Sequence, residues 1–241
     1  MAISNIITLL KGVDLFSSLD DKQLEPLAFL MEKQAFEKDE VIILEEDSAT
    51  HALFLIASGE VKVYVTASDK RDTILTLLGK GDFFGEMSLI DEEPRSASVR
   101  AVSKSEILVL KREHFLEKVY GNPDLAMTLM SVLSKRLRKA NRQIGSLALL
   151  TVYGRVAGTI LNLAEDKGVR STIEDGRVVI IIRNMPTQRQ LAEMSGTTRE
   201  TVSRVLSQLQ TKGLIAVVNR EMIILEEKEL KQGKSETSDK R

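Results

Sequence analysis

The chain has 241 residues, enough for two modest domains or one large one, and 43% of them are hydrophobic, enough for ordinary globular cores. Charged residues make up 29% and balance to a net charge of −1, so no overall basic field announces nucleic acid, and any such surface must be local. Cysteine is absent, which excludes disulfides, thiolate zinc sites and cysteine-held iron–sulfur clusters; the two histidines, His51 and His114, are too few for a metal or haem site.

No run of about eighteen apolar residues occurs, so no membrane span is expected. The opening MAISNIITLLKGVDLF lacks an early basic cluster and a small-residue cleavage site. It is expected to be a helix of a cytoplasmic protein rather than a signal peptide. Residues 3–35 carry helical patterning, broken at Gly12 and around 17–21, with Asp20 or Asp21 placed to cap a helix from Lys22. From Glu40 to Lys111 the pattern changes. Short apolar or alternating runs at 41–44, 52–57, 61–65, 74–78 and 107–110 are punctuated by Gly59, Asp69, Gly79, Gly81 and Asp91. Such spacing predicts a β-sandwich or jelly roll.

Within this region residues 83–101 read FFGEMSLIDEEPRSASVRA. Gly85 has no Cβ and lets backbone approach a ligand closely. Glu86 can accept hydrogen bonds from a sugar hydroxyl. Nine residues on, Arg95 offers a planar fork of donors to a phosphate, and Ser96 adds a hydroxyl and an N–H. Pro94 stiffens the approach to the arginine. The segment is expected on a short helical turn between strands.

Asn122-Pro123-Asp124 opens a long helix. Met130, Leu133, Leu137, Ala140, Ile144 and Leu147 repeat at spacings of three and four, an a/d seam over more than two heptads, flanked by Lys135, Arg136, Arg138, Lys139 and Arg142. A narrow stripe of this length predicts a two-helix seam, hence a homodimer. Helical patterning continues from Gly145 to Asp166, with Gly154 and Gly158 as weak points. Two short strands are expected around Asp175-Gly176.

Residues 186–214 read PTQRQLAEMSGTTRETVSRVLSQLQTKGL. Thr187 with Gln190, and Thr197 with Glu200, each form a capping-box pattern, separated by a Gly196 turn. Two capped helices about a tight turn describe a helix-turn-helix. In the second helix Val202, Val205, Leu206 and Leu209 form the buried face. Arg199, Glu200, Ser203 and Arg204 fall opposite, near the helix N-terminus that enters the major groove in this motif. Arginine pairs with guanine O6 and N7, and glutamate accepts from cytosine N4. Thr187, Gln188, Thr197, Thr198 and Ser203 are placed for phosphates. Alternation around Asn219-Arg220 predicts a wing. The tail from Glu226, ending KQGKSETSDKR, is charged and poor in apolar residues, and is expected to be at least partly disordered.

The Gly-Glu…Pro-Arg-Ser-Ala run resembles the phosphate-binding cassette of cyclic-nucleotide-binding domains. The run SGTTRETVSRVLSQL is similar to the DNA-binding domain of the catabolite activator (cyclic AMP receptor) family, as are NPDLAM and LALLTVYGRVAGTILNLA at the two ends of the long helix. The resemblance covers about residues 10–225. It implies an α+β chain with an N-terminal β jelly-roll cyclic-nucleotide-binding domain (1–120), a dimerisation helix (121–150) and a winged helix-turn-helix (151–227), before the charged tail (228–241). It implies cyclic AMP held by Gly85 and Glu86 on the ribose and Arg95 and Ser96 on the phosphate. It also implies bases read by Arg199, Glu200 and Arg204 in a palindromic operator with half-sites like TGTGA.

The expected partners are cyclic AMP, double-stranded DNA, a second copy of the chain and, where the regulator activates, RNA polymerase; no catalytic residue, cofactor or metal is expected. Three departures stand out. The adenine-facing Thr and Ser of the family's dimer helix align with Ala140 and Asn141. Ala140 has no polar side chain, whereas Asn141 offers both donor and acceptor. Glu46 occupies a position where glycine is common. The loop between Glu86 and Arg95 has the spacing of kinase regulatory subunits rather than that of the enteric receptor. The rival readings are a regulator that binds DNA without nucleotide or answers another ligand such as cyclic GMP, and a regulatory subunit acting through protein contact.

Overall fold

The computed structural model describes residues 2–48, 51–173 and 176–234. The chain divides into two compact units, Met1–Leu137 and Arg138–Arg241. The division falls inside the long helix rather than at either of its ends.

The first unit opens with α1 (Ile3–Lys11), a 3-10 turn (Asp14–Phe16) and α2 (Asp21–Leu30). Asp20 caps α2: its side chain accepts from Gln23 N, and the Gln23 side chain returns a bond to Asp20 N. The strands are β1 (Glu32–Phe36), β2 (Val41–Ile43), β3 (Ala52–Ser58), β4 (Glu60–Thr66), β5 (Asp72–Gly79) and β6 (Phe83–Phe84). After α3 (Met87–Asp91) come β7 (Ser98–Ala101) and β8 (Ser105–Lys111), then α4 (Arg112–Tyr120) and α5 (Pro123–Leu149).

Two four-stranded antiparallel sheets, ordered β1-β8-β3-β6 and β2-β7-β4-β5, face one another as in a jelly roll. Strand β3 is buried on both faces. Ala52, Phe54 and Ile56 point to the core between the sheets, while Leu53, Leu55 and Ala57 meet α1, α2, α4 and the start of α5. Double burial is why ALFLIA reads as a continuous apolar run rather than an alternation. Strand β1 corrects the expectation of helix up to residue 35: EKQAF has no strand pattern, but its backbone pairs with β8 from Glu32↔Val109 to Phe36↔Ser105. It is an edge strand whose side chains are mostly exposed, so tertiary pairing decides its state.

The second unit takes up the end of α5 and continues with α6 (Val152–Lys167), β9 (Gly168–Thr172), β10 (Val178–Ile182), α7 (Gln188–Ser195), α8 (Arg199–Thr211), β11 (Ile215–Val218), β12 (Glu221–Ile224) and α9 (Glu227–Lys234). Thr151 separates α5 from α6 by accepting from Gly154 N; Gly154 and Gly158 lie buried inside an unbroken α6, not at weak points. One antiparallel sheet, β11-β12-β10-β9, backs the helices. Asp175 of the expected turn lies outside the described residues, and β9 and β10 pair on either side of it. The tail expectation is corrected over 227–234. Those residues form a helix because Leu230 is completely buried in the core with Ile160, Val205 and Ile224; residues 235–241 lie outside the described residues.

Candidate nucleotide site and DNA interface

The cassette follows β6. Gly85 has φ +86, and a Cβ there would lie 2.8 Å from Arg95 Nη1 and 2.9 Å from the Ala52 carbonyl. Both the conformation and the close approach therefore require glycine. Arg95 is 4% exposed. Its Nη1 donates to Gly85 O (2.8 Å) and its Nη2 to Ala52 O (3.2 Å), and the guanidinium lies 5.6 Å from the Phe54 ring centre. Phe54 in turn stacks on Phe84 at 5.1 Å. Burial pushes the Arg95 guanidinium below its ordinary pKa, opposed by the carboxylates of Asp47 and Glu86. The charge is nevertheless permanent, since arginine does not deprotonate in proteins. The guanidinium is a planar fork of donors of the kind that pairs with a phosphate. Ser96, next along, is exposed, and its hydroxyl lies 3.8 Å from Met87 Sδ.

The backbone of Arg95 is held by the turn before β3: Arg95 N donates to Asp47 O (3.0 Å) and Glu46 N to Arg95 O (2.8 Å). Glu46 has φ +65, the left-handed conformation in which glycine is favoured, matching its departure from the family pattern.

Glu86 is 2% exposed and paired. Arg136 of α5 donates Nη1 to Glu86 Oε1 (2.5 Å) and Nη2 to the Phe83 carbonyl (2.6 Å), with its guanidinium 4.8 Å from the Phe83 ring centre. Sequence reading placed Arg136 only on the flank of the seam. The signal available was the need of a buried Glu86 for a cation. The structure thus brings Gly85, Glu86 and Arg95 together; Asn141 and Ala140 lie on the exposed surface of α5.

On α5, Met130, Leu137, Ala140, Ile144 and Leu147 are exposed, with Met127 extending the stripe one turn back. Leu133 differs: it is half-buried against the helical core of its own unit.

In the second unit Thr187 and Gln190 make the expected capping box, and Gly196, at φ +59, ends α7. The second cap is corrected by one residue. Thr198, not Thr197, caps α8 by accepting from Thr201 N (3.3 Å). Glu200 therefore closes no box. Its carboxylate, lowered in pKa by its own backbone N–H and the Thr198 hydroxyl, stays ionised on the surface. Val202, Val205, Leu206 and Leu209 are buried, while Arg199, Glu200, Ser203 and Arg204 are exposed on one face. Thr187, Gln188, Thr197 and Thr198 sit at the two helix starts.

The turn is clamped by Arg155 of α6, which donates to Ser195 O (2.9 Å), Gly196 O (3.2 Å) and Leu150 O (3.3 Å). The wing β11–β12 turns at Asn219 and Arg220, both left-handed (φ +48 and +66), and Arg220 O accepts from Met185 N (3.0 Å). Among the described residues no cluster of His, Asp and Glu is placed to hold a metal ion, and no helix is long and apolar enough to cross a membrane.

A buried cationic cassette in a β-roll, joined to a helix-turn-helix, defines a transcription regulator of the cyclic-nucleotide-binding type. Two family models match the chain in the same order: the cyclic nucleotide-binding domain over residues 33–120 and the Crp-like helix-turn-helix domain over 154–232. Similar proteins include the cAMP-activated global transcriptional regulator CRP of Pasteurella multocida, 35% identical over 76% of this chain and 85% of that one. The cyclic AMP receptor protein of Thermus thermophilus is 34% identical over 90% and 97%. Among solved structures, the Thermus thermophilus catabolite activator protein matches at 30% identity with a TM-score of 0.51, covering 92% of this chain and 98% of that one. A CooA mutant from Carboxydothermus hydrogenoformans shares the fold at 24% identity and a TM-score of 0.73, covering 86% and 89%. The chain belongs to the CRP/FNR family of DNA-binding transcription regulators, whose members are not enzymes.

Proposed function

We propose that the chain is a homodimeric regulator whose DNA binding is controlled by cyclic AMP. The observation that carries this reading is the buried Arg95 fork beside Gly85 and Glu86. A cyclic phosphate would pair with the Arg95 guanidinium together with the Ser96 hydroxyl and N–H, and the ribose would address Gly85 and Glu86. Glu86 is already committed to Arg136, so the sugar competes with, or joins, that pair. The relatives named for cyclic AMP, at 34–35% identity, support adenine as the base. Asn141 supplies a donor and an acceptor for it.

The exposed stripe Met130, Leu137, Ala140, Ile144, Leu147 supports pairing of two α5 helices, with Leu133 contributing its exposed part. Related by the two-fold, the α8 helices would enter successive major grooves about 34 Å apart. Arg199, Glu200 and Arg204 would read bases, while Thr187, Gln188, Thr197, Thr198 and Ser203 would hold phosphates. Differential contacts of nucleotide with two conformations would set the population competent for DNA, and the activating form would meet RNA polymerase.

Titration of the purified protein with cyclic AMP, and with cyclic GMP in parallel, tests the reading. Saturable heat with cyclic AMP that vanishes in Arg95→Ala is expected. One observation favours a second reading: Ala140 removes a base contact, and tighter binding of cyclic GMP, or operator binding independent of either nucleotide, would replace cyclic AMP as the signal.

A further inference from the structure

Helix α3 has five residues, so no backbone carbonyl of its last turn has an intrahelical partner. Two of these carbonyls, Ser88 O and Leu89 O, meet side chains from outside the helix. Arg112, the first residue of α4, donates Nε to Leu89 O (2.9 Å) and Nη2 to Glu92 Oε1 (2.5 Å). His51 brings Nδ1 to 3.2 Å from Ser88 O, and its own carbonyl accepts from Arg112 N (3.2 Å). Glu92 ends α3 in the left-handed conformation, φ +60, a conformation that costs a non-glycine residue energy unless something holds it. Arg112 reaches it from one side, through Leu89 O and the Glu92 carboxylate, and Glu93 N donates to Asp91 Oδ1 (3.2 Å) across it. The Arg112 side chain is 28% exposed.

We propose that Arg112 is a positioning residue for nucleotide capture: it keeps the C-terminal end of α3 formed before ligand arrives, so that Glu86 and Arg95 meet the nucleotide already in place. The proposal rests on the reading of 85–96 as the nucleotide site. Arg112 bonds Leu89 O and Glu92, not Gly85, Glu86, Arg95 or Ser96, and so acts through the cassette rather than on the ligand. A helix this short does not hold itself, because fixing its first turn costs more than one hydrogen bond returns. When only a fraction of molecules has the cassette formed, the apparent dissociation constant rises by the inverse of that fraction. The two ends of α3 are also tied to consecutive helices, Glu86 to Arg136 of α5 and Leu89 and Glu92 to Arg112 of α4. Closure of the cassette on a ligand would therefore pull on the α4–α5 segment directly.

The test is stopped-flow capture of a fluorescent 8-substituted cyclic AMP by the full-length protein, with cyclic AMP as competitor. Arg112→Met should lower the association rate constant about five- to tenfold and leave dissociation within about twofold, as expected when pre-formation is what is lost. Arg112→Lys, with one point donor in place of a fork, should fall between wild type and Met. Glu92→Gln, which keeps the acceptor and removes its charge, should have a smaller effect and add little on top of Arg112→Met, because both act on the same contact. Association rates equal to wild type in Arg112→Met, with only a lower melting temperature, overturn the proposal and make the arginine a plain structural bond. Capture indistinguishable between wild type and Arg95→Ala removes the nucleotide reading itself, and the proposal falls with it.

Discussion

Glu86 and Arg136 lie fifty residues apart in sequence and form a 2.5 Å ion pair, with the carboxylate almost wholly buried and the arginine still partly open to solvent. The pair joins the start of the nucleotide cassette to the long helix, and the same arginine holds the carbonyl of Phe83.

Removing the cation leaves the carboxylate buried without its charge partner, which is costlier than removing both. Arg136→Leu is expected to destabilise the N-terminal unit by about 2 kcal/mol, below the range for fully buried pairs because Arg136 is partly solvated. The double variant Glu86→Gln, Arg136→Leu should lose less than the two single losses combined. Urea denaturation of all three variants measures the difference, and additivity would deny the coupling.

Gly85→Ala carries a conformational and a steric penalty together. The backbone is at φ +86, and the new methyl would press on Arg95 Nη1 and the Ala52 carbonyl. A loss of about 1–3 kcal/mol in stability is expected from the conformation alone. Nucleotide binding should fall further, because the arginine must move to make room. Calorimetric titration beside thermal melts separates the two effects.

Asp72 links pH to stability. Burial pushes its carboxyl up, but hydrogen bonds from Lys62 (2.9 Å) and Thr66 (2.9 Å) and the charges of Lys62 and Arg100 leave it below the ordinary value. A carboxyl whose folded pKa is depressed stabilises the fold above its unfolded pKa of about 3.9, and loses that contribution as pH falls through the folded value. Stability should therefore decline on acidification below about pH 4 more steeply in wild type than in Asp72→Asn. Denaturant midpoints at pH 6 and pH 3 read this directly; parallel curves would show that the pair contributes nothing.

Much of this was legible in the sequence where local chemistry and tertiary packing agree. The run ALFLIA announced a strand because both its faces are buried, and Val202, Val205, Leu206 and Leu209 announced the inner face of α8 by spacing alone. That Gly85, Glu86 and Arg95 come together was legible because few other residue types combine that backbone freedom, acceptor and fork. Strand β1 was hidden because its side chains are polar and only its backbone is used. Helix α9 was hidden because a single leucine, Leu230, docks it amid charged residues. Arg136 and Arg112 were hidden because each serves a partner distant in sequence (Glu86 and Leu89), and no periodicity records such a pairing. The α8 cap moved from Thr197 to Thr198 because adjacent threonines are equally good N-caps, and the box with Glu200 that favoured Thr197 does not form.

Arg155 gathers three carbonyls, at Leu150, Ser195 and Gly196, around one guanidinium. Arg155→Met keeps the length of the side chain and removes every donor. It should destabilise the C-terminal unit by about 2 kcal/mol, since the carbonyls lose a charged donor. The turn before α8 should loosen, weakening operator binding while nucleotide titration stays as in wild type. Amide hydrogen exchange across 195–201 should accelerate; unchanged protection there would show the clamp to be dispensable.

Arg199 and Ser203 share the exposed face of α8 but have different tasks in the proposed complex. A base-reading arginine contributes discrimination, whereas a phosphate contact contributes affinity that is the same on every sequence. Arg199→Ala is therefore expected to cost about 1–3 kcal/mol per half-site on the operator, and much less on unrelated DNA, narrowing the gap between the two. Ser203→Ala should weaken both by a similar small factor and leave the preference intact. Competition binding with operator and scrambled duplexes at two salt concentrations measures both quantities. If Arg199→Ala lowered affinity for the two duplexes equally, the arginine would be a phosphate contact, and base reading would fall to Glu200 and Arg204.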